Sequence, residues 1–121
     1  MIEAGLPVVI STDNVPPQAL FALWSTVARK ELATGTVLVP SQKLSREQAL
    51  RAMTINGAYL SFEEGRRGSI EKGKYADLVV LGEDYLTVPE DRIKDIPVEV
   101  TIVGGKIVYQ SRSDIADGES A

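Results

Sequence analysis

The chain has 121 residues, is 44% hydrophobic and 25% charged, and carries a formal net charge of −4. That length supports one domain with a core, while scattered rather than clustered Lys and Arg exclude a nucleic-acid surface, and no apolar run approaches membrane-spanning length. There is no cysteine and no histidine, which removes disulfides, thiolate chemistry, the commonest metal ligand and the commonest general base, and leads us to expect a cytoplasmic protein.

The first predicted element is a strand over residues 6–12, "LPVVIST". Val8, Val9 and Ile10 form a continuous apolar run, as in a strand buried on both faces of a parallel sheet. The strand ends in Asp13, and Pro16 and Pro17 open the next element, since a missing N–H costs little in the first turn of a helix. That helix is expected over residues 17–34, about 27 Å long. Leu20, Leu23, Trp24, Val27 and Ala28 recur at i, i+3, i+4, with Phe21 and Leu32 widening the stripe and Gly35 as the terminating residue. Glu31 falls near this stripe, where an ion pair or a helix-end position accounts for it.

After the loop "TVLVP", Ser45 and Gln48 form a capping box with Leu44 and Ala49 as its staple. Leu50 and Met53 supply the apolar face, and Thr54 restarts a short helix carrying Ala58, Tyr59 and Leu60. Trp24 and Tyr59 are read as core residues before ligand contacts. Glu63, Glu64, Arg66 and Arg67 form a solvated connection. Gly68 and Gly73 then mark turns ahead of a strand over residues 76–81. Their spacing matches neither phosphate-binding fingerprint.

"VEVTIVGGKIVYQ" is a hairpin with Gly104 and Gly105 as its two-residue turn. The simple register pairs Ile102 with Ile107 and Val100 with Tyr109 on one face, leaving Glu99, Thr101 and Lys106 on the other. Residues 111–121 read as a frayed tail. The expected organisation is therefore a first part over residues 1–65, a strand-rich part over 66–110 and the tail.

Two carboxylates stand out. Asp13, at the end of an apolar run and before Asn14 and the prolines, is by its local setting a turn residue that bonds backbone N–H groups. Asp77, between Lys74 and an apolar strand, is read as a turn brace. The remaining acids are dispersed and show no EF-hand pattern, which gives a carboxylate-only Ca²⁺ or Mg²⁺ site little support. A strand buried on both faces needs neighbours on its edges, and the rest of the chain offers none of that kind. The N-terminal unit thus reads as the last piece of a larger α/β sheet, or as one that copies of the chain complete for each other.

The stretches "LSREQALRAMTINGAY", "GSIEKGKYADLVVL" and "TIVGGKIVY", with "EAGLPVVISTDNVPP" upstream, resemble the C-terminal part of the amidohydrolase superfamily, closest to its YtcJ-like, amidohydrolase 3 branch. The resemblance covers about residues 2–110. It implies an α+β chain: the last β–α unit of a (β/α)8 barrel and following helices, then C-terminal strands of a small β-sandwich. It gives Asp13 the family's role as ligand to a divalent metal, usually zinc, and as acceptor of the proton from metal-bound water. It also places Asp77 in the sandwich, away from the metal. The family's other ligands are a His-x-His pair, a mid-barrel acid or modified lysine and two further histidines. With no histidine anywhere, self-association cannot restore them.

Two functions follow as expectations. One is the C-terminal part of a metal-dependent hydrolase of C–N bonds, inactive alone, whose partner is the missing N-terminal barrel portion. The alternative is a non-catalytic, self-associating domain derived from such a segment, with Met1 as its start and a homodimer through the long helix or a strand edge.

Overall fold

The computed structural model describes residues 5–11 and 18–111. Helix α1 spans Ala19–Ala28, α2 Arg46–Met53 and α3 Ile55–Leu60; strand β1 spans Leu78–Leu81, β2 Val98–Val103 and β3 Lys106–Gln110, with a 3₁₀ helix over Glu90–Asp95 between β1 and β2. The strands form one antiparallel sheet in the order β1-β2-β3. The chain is therefore a small α+β fold.

Residues 6–11 do not form the predicted strand. A β-ladder needs a strand on at least one edge, and this segment finds helices instead. The Ile10 N–H donates to the Ala52 carbonyl at 3.1 Å, and the Asn56 side-chain amide donates to the Val8 carbonyl at 2.9 Å. Nor is the segment buried on both faces, since Leu6 and Val9 are exposed. Asp13, Pro16 and Pro17 lie outside the described residues.

Helix α1 is shorter than its pattern. Arg29 takes a left-handed conformation (φ 53°) and its N–H caps the Ser25 carbonyl. The chain then turns back as a narrow loop, with Lys30 opposite Val37 and the Leu38 N–H bonded to the Arg29 carbonyl. Gly35, at φ 71°, serves the tip of this loop rather than the helix end. Glu31 lies beyond the helix and accepts from the Thr34 hydroxyl at 2.7 Å.

The predicted stripe is nonetheless the core, except for Leu32, which lies beyond the helix end and is exposed. Leu23, Trp24, Val27 and Ala28 pack with Ala49, Tyr85, Ile93 and Ile96, so the 3₁₀ helix and α2 cover the face that was expected to seek a second copy. Burying such a stripe is the main source of helix stability. The capping box at Ser45 and Gln48 forms in both directions, and Leu44 packs against the core. The buried face of α2 uses Ala49 and Ala52, while Leu50 is half exposed. In α3 only Ala58 is buried. Tyr59 is 55% exposed, so it is no core residue.

Strand β1 begins at Leu78, two residues later than predicted. The hairpin turn is as read, with Gly104 and Gly105 at φ 57° and 81°. Ile102 does pair with Ile107, but Tyr109 sits opposite Thr101 and Gln110 opposite Val100. Val108 is an extra residue on β3, a bulge that moves every later pair by one. Both turn glycines need positive φ, which a β-branched residue resists. Gly104→Val should cost about 1–3 kcal/mol, read as a lower urea midpoint; an unchanged midpoint would put the turn elsewhere.

Candidate functional site

Three clusters of polar contacts among the described residues bear on function. The first surrounds the single tryptophan. The Trp24 indole N–H donates to Asp91 Oδ1 at 3.2 Å, and Lys30 Nζ meets both Asp91 oxygens at 3.0 and 2.8 Å. Lys94 Nζ lies 4.9 Å from the Trp24 ring centroid, in cation–π range. Hydrogen bonds from Lys30 and then from Trp24 hold the Asp91 carboxyl below the usual range. Asp91 is held by both Lys30 and Trp24, so the group beside the shallow cavity of about 160 Å³ ties α1 and the residue that follows its cap to the 3₁₀ helix rather than forming a reactive centre. Nothing local marks this cluster in sequence, because its partners are 61 and 67 residues apart.

The second cluster joins α2 to the segment after β1. Arg46 donates to the Tyr85 carbonyl at 2.9 Å, and the Tyr85 hydroxyl donates to the Arg46 carbonyl at 2.7 Å. Burial is the main cause that pushes the Tyr85 phenol up. Nearby, Arg92 forks onto the Glu83 carboxylate, its Nε at 3.0 and 2.9 Å from the two oxygens. The Arg46–Tyr85 exchange orients backbone, and the Arg92–Glu83 pair is a surface ion pair; neither presents a nucleophile.

The third cluster lies in a groove of about 990 Å³ between β1 and the α2–α3 pair. Leu78, Val79 and Leu81 form one wall, and Met53, Ile55 and Ala58 the other. At its polar end Arg67 pairs with Glu63 at 3.1 Å and approaches Asp77 at 3.8 Å. Arg67 also covers the Tyr75 ring, 5.2 Å from its centroid. The residues read as a solvated connection therefore include a fastened arginine.

Asp77 accepts from the Gly104 N–H at 2.8 Å. It is a turn brace as expected, but for the hairpin turn 27 residues away rather than for its own.

Ser69 and Glu71 complete the rim, and Lys74 is bonded to both. Lys74 donates to Ser69 Oγ at 2.7 Å, and Ser69 donates to Glu71 at 2.6 Å. A lysine that activates a serine must be free to take its proton. Here Glu71 binds Lys74 at 2.9 Å, and its carboxyl is held low by hydrogen bonds from Lys74 and then Ser69. The triangle braces a turn and does not form a nucleophile.

No group of three or more His, Cys, Asp or Glu able to hold a metal occurs among the described residues. Asp13, the residue singled out as a metal ligand by resemblance, lies outside them. No described helix is long and apolar enough to cross a membrane.

Comparison with known proteins supplies the context that these clusters lack. The chain is 33% identical over 114 residues to an N-substituted formamide deformylase of Arthrobacter pascens, covering 91% of this chain and 20% of that protein. It is 40% identical over 81 residues to the imidazolonepropionase of Syntrophobacter fumaroxidans, covering 67% of this chain and 18% of the relative. With the imidazolonepropionase of Thermoplasma acidophilum it shares 35% identity over 119 residues, 94% of this chain and 26% of the relative. The crystal structure of an amidohydrolase from Thermotoga maritima MSB8 superimposes with a TM-score of 0.67 at 24% identity, over 91% of this chain and 24% of that one. The chain thus spans about a fifth to a quarter of the length of these proteins while keeping the fold of the part it matches. With the family's sequence model matching residues 1–109, the chain belongs to the amidohydrolase family.

Proposed function

We propose that this chain is the C-terminal part of a metal-dependent amidohydrolase that cleaves C–N bonds of amide type, and that the 121 residues alone carry out no hydrolysis. The observation that carries the reading is a family match over nearly the whole chain in a sequence without a histidine. In such a hydrolase a divalent metal, usually zinc, would activate the attacking water. The residues present do not fit that group: a hydrolytic zinc site takes about three protein ligands and an open position, and Asp13 is one carboxylate with no imidazole to join it. We therefore assign this chain a supporting role. It would bring the aspartate of the last barrel strand, the helices behind it and the closing strands of the sandwich. The remaining ligands and the substrate loops would belong to the N-terminal barrel portion. A cytoplasmic setting agrees with the absence of cysteine.

The test is amide and ester hydrolysis by the purified chain with Zn²⁺ added. The expected result is no metal-dependent turnover, with the wild type and Asp13→Ala indistinguishable. Turnover that needs the metal and disappears in Asp13→Ala would overturn the proposal. In-frame coding sequence upstream is the second check. A barrel carrying His-x-His supports the reading, and an upstream stop codon favours the alternative of a non-catalytic, self-associating domain, which draws on the many exposed apolar side chains such as Leu60, Phe62 and Ile70.

A further inference from the structure

The segment over residues 6–11 lies on helices, and its ties fall on α2 and α3. The Ile10 N–H bonds the Ala52 carbonyl, the Ile10 side chain packs against the core, and the Asn56 amide bonds the Val8 carbonyl. Asn56 is the only asparagine among the described residues, and Gly57 follows it. A side-chain amide before a glycine is open to attack by the next backbone nitrogen, because glycine has no side chain to hinder the ring and reaches the backbone angles the ring needs. A helix interior would suppress that attack by using the N–H and fixing the backbone. Here α3 has six residues and starts without a side-chain cap. The Thr54 hydroxyl, which could cap it, bonds back to the Leu50 carbonyl at 2.7 Å, and the first bond into the helix runs from the Ala58 N–H to the Thr54 carbonyl. Gly57 therefore holds the third helical position, where an N–H has no acceptor inside the helix. A Cβ built on Gly57 meets nothing within 4 Å, so a ring has room to form.

We propose that Asn56 is a site of spontaneous modification, at which the chain deamidates through a cyclic imide with Gly57 and so unties its own N-terminal segment. The Gly57 nitrogen gives its proton to solvent base and attacks the Asn56 Cγ. The N–Cγ bond forms, the Cγ–Nδ2 bond breaks, and Nδ2 leaves as ammonia after taking up a proton. Water then opens the imide at one of its two carbonyls, giving aspartate at one and isoaspartate at the other. Water is the co-reactant, and nothing is oxidised or reduced.

The fold governs both the rate and the consequence. The bond to Val8 restrains the Asn56 side chain, and the helical backbone holds Cγ off the Gly57 nitrogen. Opening of the first turn removes both restraints. A helix this short is not stable by itself, and such local openings need less than global unfolding. The product carboxylate accepts hydrogen bonds and donates none, so it cannot hold the Val8 carbonyl. An acid in the first turn suits the helix dipole, so the aspartate form leaves α3 in place while the segment comes free. The isoaspartate form also adds a methylene to the main chain and disturbs that turn. The step runs one way, so it records the age of the chain.

The experiment is mass spectrometry on the purified chain held at neutral and mildly alkaline pH. The tryptic peptide over residues 52–66 contains no other side-chain amide, so a mass gain equal to oxygen less NH reports Asn56 alone, and chromatography separates the two acid forms. Wild type is expected to convert, faster as pH rises and more slowly than the same chain unfolded in urea. Gly57→Ala should slow the step about tenfold. The Ile10 N–H reads the consequence. In Asn56→Asp its hydrogen exchange should speed up about tenfold, while exchange at the Gly82 N–H, bonded to the Pro97 carbonyl, stays as in wild type. Circular dichroism checks that each variant is folded. If Asn56→Asp unfolds, converted wild type isolated by ion exchange takes its place, and the same Ile10 reading decides. A folded wild type that keeps its amide while the urea-unfolded chain converts, Gly57→Ala at the wild-type rate, or Ile10 exchange indifferent to the change overturns the proposal. None of these readouts depends on a metal or an added substrate, so the proposed family role and this site stand or fall separately.

Discussion

Ile93→Ala is expected to cost about 2–5 kcal/mol, the usual range for emptying a buried isoleucine site. Ile93 is the largest fully buried side chain among the described residues and sits in the 3₁₀ helix facing α1. It holds together residues from three separate parts of the chain: Leu23, Trp24, Val27 and Ala28 of α1, Ala49 of α2, and Tyr85 and Ile96 flanking it. A small domain is stable by only about 5–15 kcal/mol, so this one truncation removes a large share of the total. A 3₁₀ helix of six residues has poor hydrogen-bond geometry and persists through such packing. The loss should therefore extend to the Trp24–Asp91 lock. Trp24 is the only tryptophan, so its fluorescence in a urea titration reports the event directly. Ile93→Val, which keeps most of the volume, should cost about 0.5–1.5 kcal/mol. Equal midpoints for wild type and Ile93→Ala would show that α1 and the 3₁₀ helix do not share a core.

What sequence reveals here is what neighbouring residues decide between them. The capping box at Ser45 and Gln48 is an exchange of bonds within four residues. The turns at Gly68, Gly73, Gly104 and Gly105 depend on backbone freedom at those positions. The apolar stripe of α1 is visible because its 3.6-residue period does not depend on what covers it. Its true end is not visible: Arg29 turns left-handed because the chain returns to place Leu38 against it, and Gly35 only marks the tip. The hairpin shows the same limit. Its turn is local, but the bulge at Val108 arises from how the two strands settle on each other.

The functional reading divides along the same line. Asp77 was recognisable as a brace, but its partner across 27 residues was not. The pairs Trp24–Asp91 and Arg46–Tyr85 have no sequence signal, since each is made by folding. The run at Val8, Val9 and Ile10 misled because its composition reports the environment it is suited to. A double-sided sheet would suit it, and in this chain it lies on helices instead. The family assignment succeeded because it drew on several separated motifs in order, which no single site residue could supply.

Gly68→Ala is expected to cost about 2–6 kcal/mol, from two costs that add. Gly68 has φ 96°, a conformation L side chains rarely adopt, and forcing one there costs about 1–3 kcal/mol. A Cβ at this position would also lie 2.8 Å from the Ala58 Cβ and 3.0 Å from the Ile55 Cα. The second of these is backbone, so relief requires moving α3 itself, and overpacking of this kind costs about 1–3 kcal/mol. The position matters because Gly68 is where the segment after α3 closes onto it, next to Arg67 with its contacts to Glu63 and Asp77. Displacing α3 would loosen that arginine and, through Asp77, the hairpin turn. Gly73 provides the control. Its φ of 94° is nearly the same, but a Cβ there meets nothing within 4 Å. Gly73→Ala should therefore show the conformational cost alone, and the difference in urea midpoint between the two variants measures the packing of Gly68 against α3. Equal losses in both would mean that the segment after α3 does not close on the helix at this point, and that the groove beside β1 is wider than described.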